Sequence, residues 1–410
     1  MVHVTENGGV TMKTTDRKYL AALRKRYARA SKKERGQMLD EYVRTTGCHR
    51  KHAIAVLRGK RSRATGVIRR PRRSQYTAED ARALEKLSDL FDGINAKLLR
   101  VALDNELEHL YRSGFVQVSP ACYRRLQQIS PASIDRVRTR YGRGLPPRVK
   151  RGRTKPGSLL KRQIPVRTWD DWNEDQPGFT EMDLVSHDGG LERGDHAWTL
   201  NFTDIKTTWT ECAAVRNKAQ QYVFAALQRV RARLPFPLRG IDSDNGSEFI
   251  NDQLLRYAQR EHLTFTRTRP GRKNDNAHVE QKNWSVVRRF VGDLRYETPQ
   301  QLTWLNQLYE VLHDYINFFL PSVKLKEKRR TGAKVTRVYE RPATPYQRAL
   351  ADPHLPAKVK THLRRHYQHL DVVALRQQID TLSRQLWASA QLSFPTHEPS
   401  LRGPDTQWGT

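Results

Sequence analysis

Near Gly178 the spacing of apolar residues changes, and that change limits the fold more than any other feature of the chain. Before it, apolar residues recur every three or four positions. After it, in HAWTLNFTD, Trp198, Leu200 and Phe202 alternate with Thr199, Asn201 and Thr203. A period of two predicts a half-buried strand with one apolar and one polar face. FTEMDLVS before it and WTECAAV after it also read as strands, with Gly189, Gly190 and Gly194 supplying the first turn. Three short strands in succession predict an antiparallel meander. Helical spacing returns in Val223, Leu227, Val230 and Leu234. LRGID then gives a fourth strand ending at Asp242, followed by a helix through Leu254, Leu255 and Ala258 and a short strand, LTFTRT. This order predicts a mixed α/β layer with active groups at strand ends.

Charge narrows the choice of partner. The 410 residues carry 74 Lys and Arg against 43 Asp and Glu, a formal charge of +31. A polyanion is expected, with nucleic acid the leading candidate. The charge is uneven: residues 1–168 sum to +26, 169–250 to −6 and 251–410 to +11. An acidic island between basic flanks repels the polyanion those flanks attract, unless divalent cations bind there. No apolar run is long enough to cross a bilayer, so no membrane partner is expected, and MVHVTENGG does not read as a signal peptide. Cys48, Cys122 and Cys212 are scattered without a CxxC pair. Neither a disulfide scaffold nor a cysteine-rich zinc site is expected, and a reducing cytoplasm fits best.

Residues 1–60 are predicted to bind DNA. Leu20, Leu23 and Tyr27 mark one helix and Met38, Leu39, Tyr42 and Val43 a second. Gly47 breaks the pattern, and HRKHAIAVLRG then puts Ala53, Ile54 and Leu57 on one face, with Arg50, Lys51 and Arg58 outside. That is the layout of a helix-turn-helix, a plain three-helix bundle being the alternative. Residues 61–76 read as a basic linker and 77–141 as a second helical DNA-binding domain, with Leu84, Leu87 and Phe91, then Leu99, Leu103, Leu107 and Leu110, in register. Ser119-Pro120 and Ser130-Pro131 are helix starts. Arg136, Arg138 and Arg140 on the last helix are candidate DNA contacts. Residues 142–168 form a basic Gly/Pro linker, in which Arg151 and Arg153 suit a narrow minor groove, although a solvated linker explains them too. Residues 169–325 are expected to hold the α/β layer, and 326–410 a basic C-terminal region with a terminal helix. The seam of Val372, Leu375, Ile379, Leu382 and Leu386 in its terminal helix is expected to pack on the protein's own core in preference to another helix.

Three carboxylates carry the candidate chemistry. Asp183 lies mid-strand among Met182, Leu184 and Val185, where an unpaired charge is costly to bury. Asp244 follows the fourth strand in DSDNGSEF, and Glu280 lies on a helix beginning near Asn276, beside Val279, Val286 and Phe290. Each alone could cap a helix or pair with an arginine. Together, with no His or Cys cluster of ligand spacing nearby, they make an oxygen-only set of the kind that selects Mg²⁺, with Mn²⁺ as a substitute. Two such ions can activate the attacking oxygen and stabilise the leaving oxygen of a phosphodiester.

Asp183, the DNG turn at Asp244 and Glu280 at this spacing resemble the catalytic core of DDE transposases and retroviral-type integrases, members of the RNase H-like superfamily. The resemblance runs through MDLVSHDGG, WTLNFTD, WTECAAV, LPFPLRGIDSDNGSEFIN, FTRTRPGRKNDNAHVEQKNW and NFFLPSVKL, residues 178–325, and is greatest to bacterial insertion-sequence transposases. It implies a multidomain protein: a helical N-terminal helix-turn-helix region, an α/β RNase H-like integrase core and a basic C-terminal region. It also implies a transposase that binds element ends, frees a 3′-hydroxyl and joins it to target DNA, with Asp183 bridging two metal ions and Asp244 and Glu280 each completing one ion's shell. A homo-oligomer on DNA, associated with a bacterial nucleoid, follows by the same analogy. A purely hydrolytic nuclease and a non-enzymatic DNA-binding regulator are the alternatives. Asp244 is preferred to Asp242 because the motif's Asp directly precedes Asn-Gly, and Asp275 suits a helix N-cap better than Glu280's role. Asn276 and Asn283, four before and three after Glu280, are assigned to substrate positioning, and Arg272, Lys273, Lys282 and Arg288 to phosphates. His187 and His278 read as structural histidines and Trp284 as core. Cys48, His49 and His52 lack a second Cys, so the retroviral zinc module is not expected.

Overall fold

The computed structural model describes residues 14–59, 75–141, 166–167, 175–191, 193–243, 249, 252–268, 282–331 and 334–392. The chain divides into two compact units, residues 1–75 and 76–410.

The first unit is a trio of helices, α1 (Thr14–Arg29), α2 (Lys32–Thr46) and α3 (Arg50–Leu57). Ser31 and Glu34 form a reciprocal capping box at the start of α2, and Gly47, at φ 66°, ends it in the left-handed region that glycine adopts without strain. Leu20, Tyr27, Leu39, Ala53 and Leu57 make its small core, on the faces their spacing predicted. Arg50, Lys51 and Arg58 remain exposed.

The second unit begins with α4 (Ala78–Leu90), α5 (Ala96–Arg112), α6 (Pro120–Gln127) and α7 (Pro131–Tyr141). Ser119 caps α6 through the Cys122 amide, and Ser130 accepts from the Ser133 amide at the start of α7. A six-stranded sheet follows: β1 (Val166–Arg167), β2 (Phe179–Ser186), β3 (Trp198–Asp204), β4 (Thr210–Val215), β5 (Gly240–Ser243) and β6 (Thr264–Thr268), in the order β1-β6-β5-β2-β3-β4. The β2–β3–β4 meander is antiparallel, while β5 and β6 run parallel to β2. Helices α8 (Gln220–Arg233) and α9 (Asp252–Arg260) cover one face, where Met182, Leu200 and Phe202 meet Val223, Leu227 and Leu254.

Beyond the sheet lie a π-helical segment (Asn283–Arg288) running into α10 (Arg289–Val291), α11 (Pro299–Asp314) with a second π-helical segment (Tyr315–Phe319), a two-stranded ribbon of β7 (Leu325–Thr331) and β8 (Lys334–Tyr339), and α12 (Pro345–Ala351), α13 (Ala357–His369) and α14 (Val372–Leu392). The α14 seam packs inward as expected, with Val372, Ile379 and Leu386 buried.

Two features differ from the sequence expectations. All seven residues of β3 are buried, so its polar side does not face water. The helices after the sheet cover that side, and Thr199 Oγ1 lies 2.6 Å from the Tyr309 hydroxyl on α11. Likewise, residues 77–141 do not stand apart as a second domain. Leu84, Phe91, Leu103 and Ile134 share one core with Val185, Tyr315, Ile379 and Leu386, and the Tyr315 hydroxyl donates to the Leu90 carbonyl. The apolar stripes of α4 and α5 needed a cover, and the C-terminal helices supply it.

Edge strand β4 is closed by side-chain amides. Asn317 accepts from the Thr210 N–H at 2.9 Å and donates to its carbonyl at 2.9 Å, and Asn306 treats Ala214 in the same way at 3.0 and 3.2 Å. These bonds take up backbone groups that would otherwise template pairing with another chain. Replacing Asn317, which is fully buried, by Ala leaves a buried N–H and C=O unpaired and should cost about 2–4 kcal/mol in a urea unfolding titration. A loss below about 0.5 kcal/mol would contradict this role.

Candidate active site

Strand β2 lies at the centre of the sheet between β3 and β5. Met182 turns into the apolar cluster under α8 and α9, so its neighbour Asp183 projects from the opposite face, directly across from Asn201 of β3. The Asp183 carboxylate is half-buried. Its Oδ2 accepts a hydrogen bond from Asn283 Nδ2 at 2.5 Å, and Asn283 Oδ1 accepts in turn from Asn201 Nδ2 at 2.7 Å. Asn201 Oδ1 takes the Thr203 hydroxyl at 3.4 Å. Each amide in this chain has its oxygen facing a donor, so its nitrogen faces the next acceptor. The orientation is thus relayed from Thr203 to the carboxylate. Asp183 Oδ1 accepts from the Leu184 amide at 2.8 Å.

Asn283 opens the first π-helical segment, whose inner face is fixed by buried Val286 and Val287. Wide-turn segments of this kind recur at functional sites. The sequence had marked Asn283 but not Asn201. The available signal was an amide at mid-strand, on the polar side of the strand adjoining the one that holds Asp183.

Ser243, the last residue of β5, pairs with Met182, so β5 ends beside the position of Asp183. Asp242 is buried with its Oδ1 bonded to the Thr266 hydroxyl. Asp244 and Glu280 lie outside the described residues, as do Arg151, Arg153, Arg272, Lys273, Asp275, Asn276 and His278. Among the described residues, no group of three or more His, Cys, Asp or Glu is placed to hold a metal ion.

The remaining candidates divide by their surroundings. Arg50, Lys51, Arg58, Arg136 and Arg140 are exposed; Arg50 pairs with Asp40, and Arg140 lies over the Tyr141 ring at 5.5 Å. Arg138, by contrast, is engaged by the Ile94 carbonyl at 3.0 Å and Ser88 Oγ at 2.8 Å. Arg288 pairs with Asp293 at 2.9 Å. Lys282 is buried, and burial, reinforced by the Arg348 guanidinium, lowers its ammonium to about 8. The structure therefore sets Arg138 and Lys282 within the fold and not on an open basic face. His187 is the structural histidine expected: its Nε2 lies 2.7 Å from Thr199 Oγ1, and burial pushes the imidazole down to about 3, keeping it neutral. Trp284 is not core. It stands 47% exposed because Val286 and Val287 occupy the inner face of its segment.

The family model described as Integrase core domain matches residues 174–273. Over 327 residues, 80% of this chain, the sequence is 38% identical to Uncharacterized protein y4rM of Sinorhizobium fredii (strain NBRC 101917 / NGR234), covering 93% of that protein. Among solved structures, the catalytic core domain of BIV integrase is similar at 13% identity, with a TM-score of 0.27, covering 42% of this chain and 91% of that one. The chain belongs to one family with that Sinorhizobium fredii protein, and its residues 174–273 are an integrase core domain, of the RNase H-like integrase and transposase kind.

Proposed function

We propose that this protein is a DNA transposase that binds element ends, cleaves a strand to free a 3′-hydroxyl and joins it to target DNA. The observation that carries this reading is the 2.5 Å bond from Asn283 to Asp183. Asn283 follows Glu280 by three residues and Ser243 immediately precedes Asp244, so the described neighbours of both carboxylates lie beside Asp183 or its strand. Asp183, Asp244 and Glu280 are assigned as the catalytic and metal-binding set. An all-oxygen donor set fits Mg²⁺, with Mn²⁺ as a substitute. Two such ions, when bound, activate the attacking oxygen and stabilise the leaving oxygen of a phosphodiester. The part of this chain is to hold the Asp183 carboxylate in one orientation through Asn283 and Asn201.

The formal charge of +31 supports a DNA substrate. Within the N-terminal unit, exposed Arg50, Lys51 and Arg58 on and just after α3 suit a recognition helix behind the Gly47 turn. Arg136 and Arg140, with Arg151, Arg153, Arg272, Lys273 and Asn276, are assigned to DNA contacts, and the working form is a homo-oligomer that brings two ends together.

Three outcomes are expected. Asp183→Asn, Asp244→Asn and Glu280→Gln should each abolish cleavage and joining while DNA binding in a gel-shift titration stays within about twofold; lost binding with retained cleavage would contradict the assignment. A duplex with a pre-cut 3′-hydroxyl end should give joined product when supplied with target DNA and Mg²⁺; cleavage without joining would leave a hydrolytic nuclease. Duplex affinity should fall about 10³-fold or more between 50 and 200 mM salt, as expected for six or more phosphate contacts, and a flat response would contradict an electrostatic footprint.

A further inference from the structure

The tryptophans of the described residues have different surroundings. Trp198 and Trp209 are buried, Trp304 packs half-buried against the core, and Trp387 donates its indole N–H to the Val291 carbonyl at 3.2 Å. Trp284 is 47% exposed, and among the described residues its indole makes no hydrogen bond and no ring contact. Leaving so large an apolar side chain in water forgoes the burial that normally places it, so its position invites a ligand.

Its neighbours indicate which ligand. Trp284 directly follows Asn283, whose amide touches Asp183, so the indole springs from backbone about 3.8 Å along the chain from that residue. In the wide turn of this segment, residues four and five apart share a face, which puts Arg288 and Arg289 on the side of Trp284. Asp293 and Asp92 hold those guanidiniums in place. An exposed aromatic side chain, on a segment that carries two arginines and the asparagine bound to a carboxylate assigned to phosphodiester chemistry, is the pattern of a nucleobase stacking platform.

We propose that Trp284 stacks on an unpaired nucleobase at the DNA end held in the active site. A base inside a duplex has both faces covered by its neighbours, so a terminal or extruded nucleotide is the ligand that offers a free face. This inference rests on the proposed DNA-processing function and adds to it a preference for ends with an unpaired base.

The test uses the full chain in EDTA, so that no strand is cut, with a blunt duplex and the same duplex carrying one unpaired 2-aminopurine at an end. The wild type should quench the 2-aminopurine fluorescence and bind the unpaired-end duplex about tenfold more tightly, the range expected for one stacked base. In Trp284→Ala the affinity ratio should fall to about one and the quenching disappear, while Trp284→Tyr, which keeps a ring, should retain both in part. A Trp284→Ala protein that keeps the preference would overturn the proposal, as would a wild type that binds both duplexes equally. Failure to bind any duplex would overturn the DNA reading together with it, which separates the two failures.

Discussion

The pairing of β2 with two different neighbours fixes everything around Asp183. A slip of one residue would carry Met182 out of the apolar cluster under α8 and α9 and drive the carboxylate into it. The antiparallel ladder to β3 and the parallel ladder to β5 both oppose that slip. Two glycines permit the close approach: a Cβ on Gly178, at φ 114°, would stand 2.3 Å from the Pro237 carbonyl oxygen, and one on Gly240 2.5 Å from the Phe179 ring. Asp204 anchors the start of β2 by accepting the Gly178 amide at 2.7 Å, and burial raises its carboxyl to about 6 despite the hydrogen bonds it accepts from Thr207.

The second face of the sheet is buried and mixes apolar with polar contacts: Val185 and Ala214 share a core with Val287, Leu305 and Leu308. Beside that packing, Thr199, Asn201 and Thr210 meet Tyr309, Asn283 and Asn317 through hydrogen bonds. Such networks are costly when any partner is missing, so they tie the active face to the helices that complete it. Arg348 extends the tie: its guanidinium donates to Thr208 and Ser322 hydroxyls and to the Ser322 and Ala343 carbonyls, joining the β3–β4 turn to α12. The C-terminal region is in this sense part of the site's scaffold.

Much of this was legible in the sequence. The strands showed in the alternation of Trp198, Leu200 and Phe202, and the first face of the core in Val223, Leu227 and Leu254. The second face was not, because Thr199 and Asn201 read as solvent-facing until their partners, 110 and 82 residues away, are known. The same limit explains Arg138, whose acceptors Ile94 and Ser88 lie 44 and 50 residues back. Trp284 misled for a local reason, since ordinary helical spacing does not foresee the wide turn that leaves it outside. The β7–β8 ribbon was hidden by its charge, although Gly332 in RRTGAKV was a usable turn signal. Of the three assigned carboxylates, only Asp183 lies among the described residues, and its place in the middle of a strand is the one expected, whereas the central position of that strand in the sheet was not foreseen.

Anomalous diffraction at the manganese edge, from crystals of the full chain grown with Mn²⁺ and a DNA end, tests the central claim most directly. Manganese peaks within coordinating distance of the Asp183, Asp244 and Glu280 carboxylates are expected. Manganese bound elsewhere, with the Asp183 oxygens free of metal while the DNA end is seated, would contradict it.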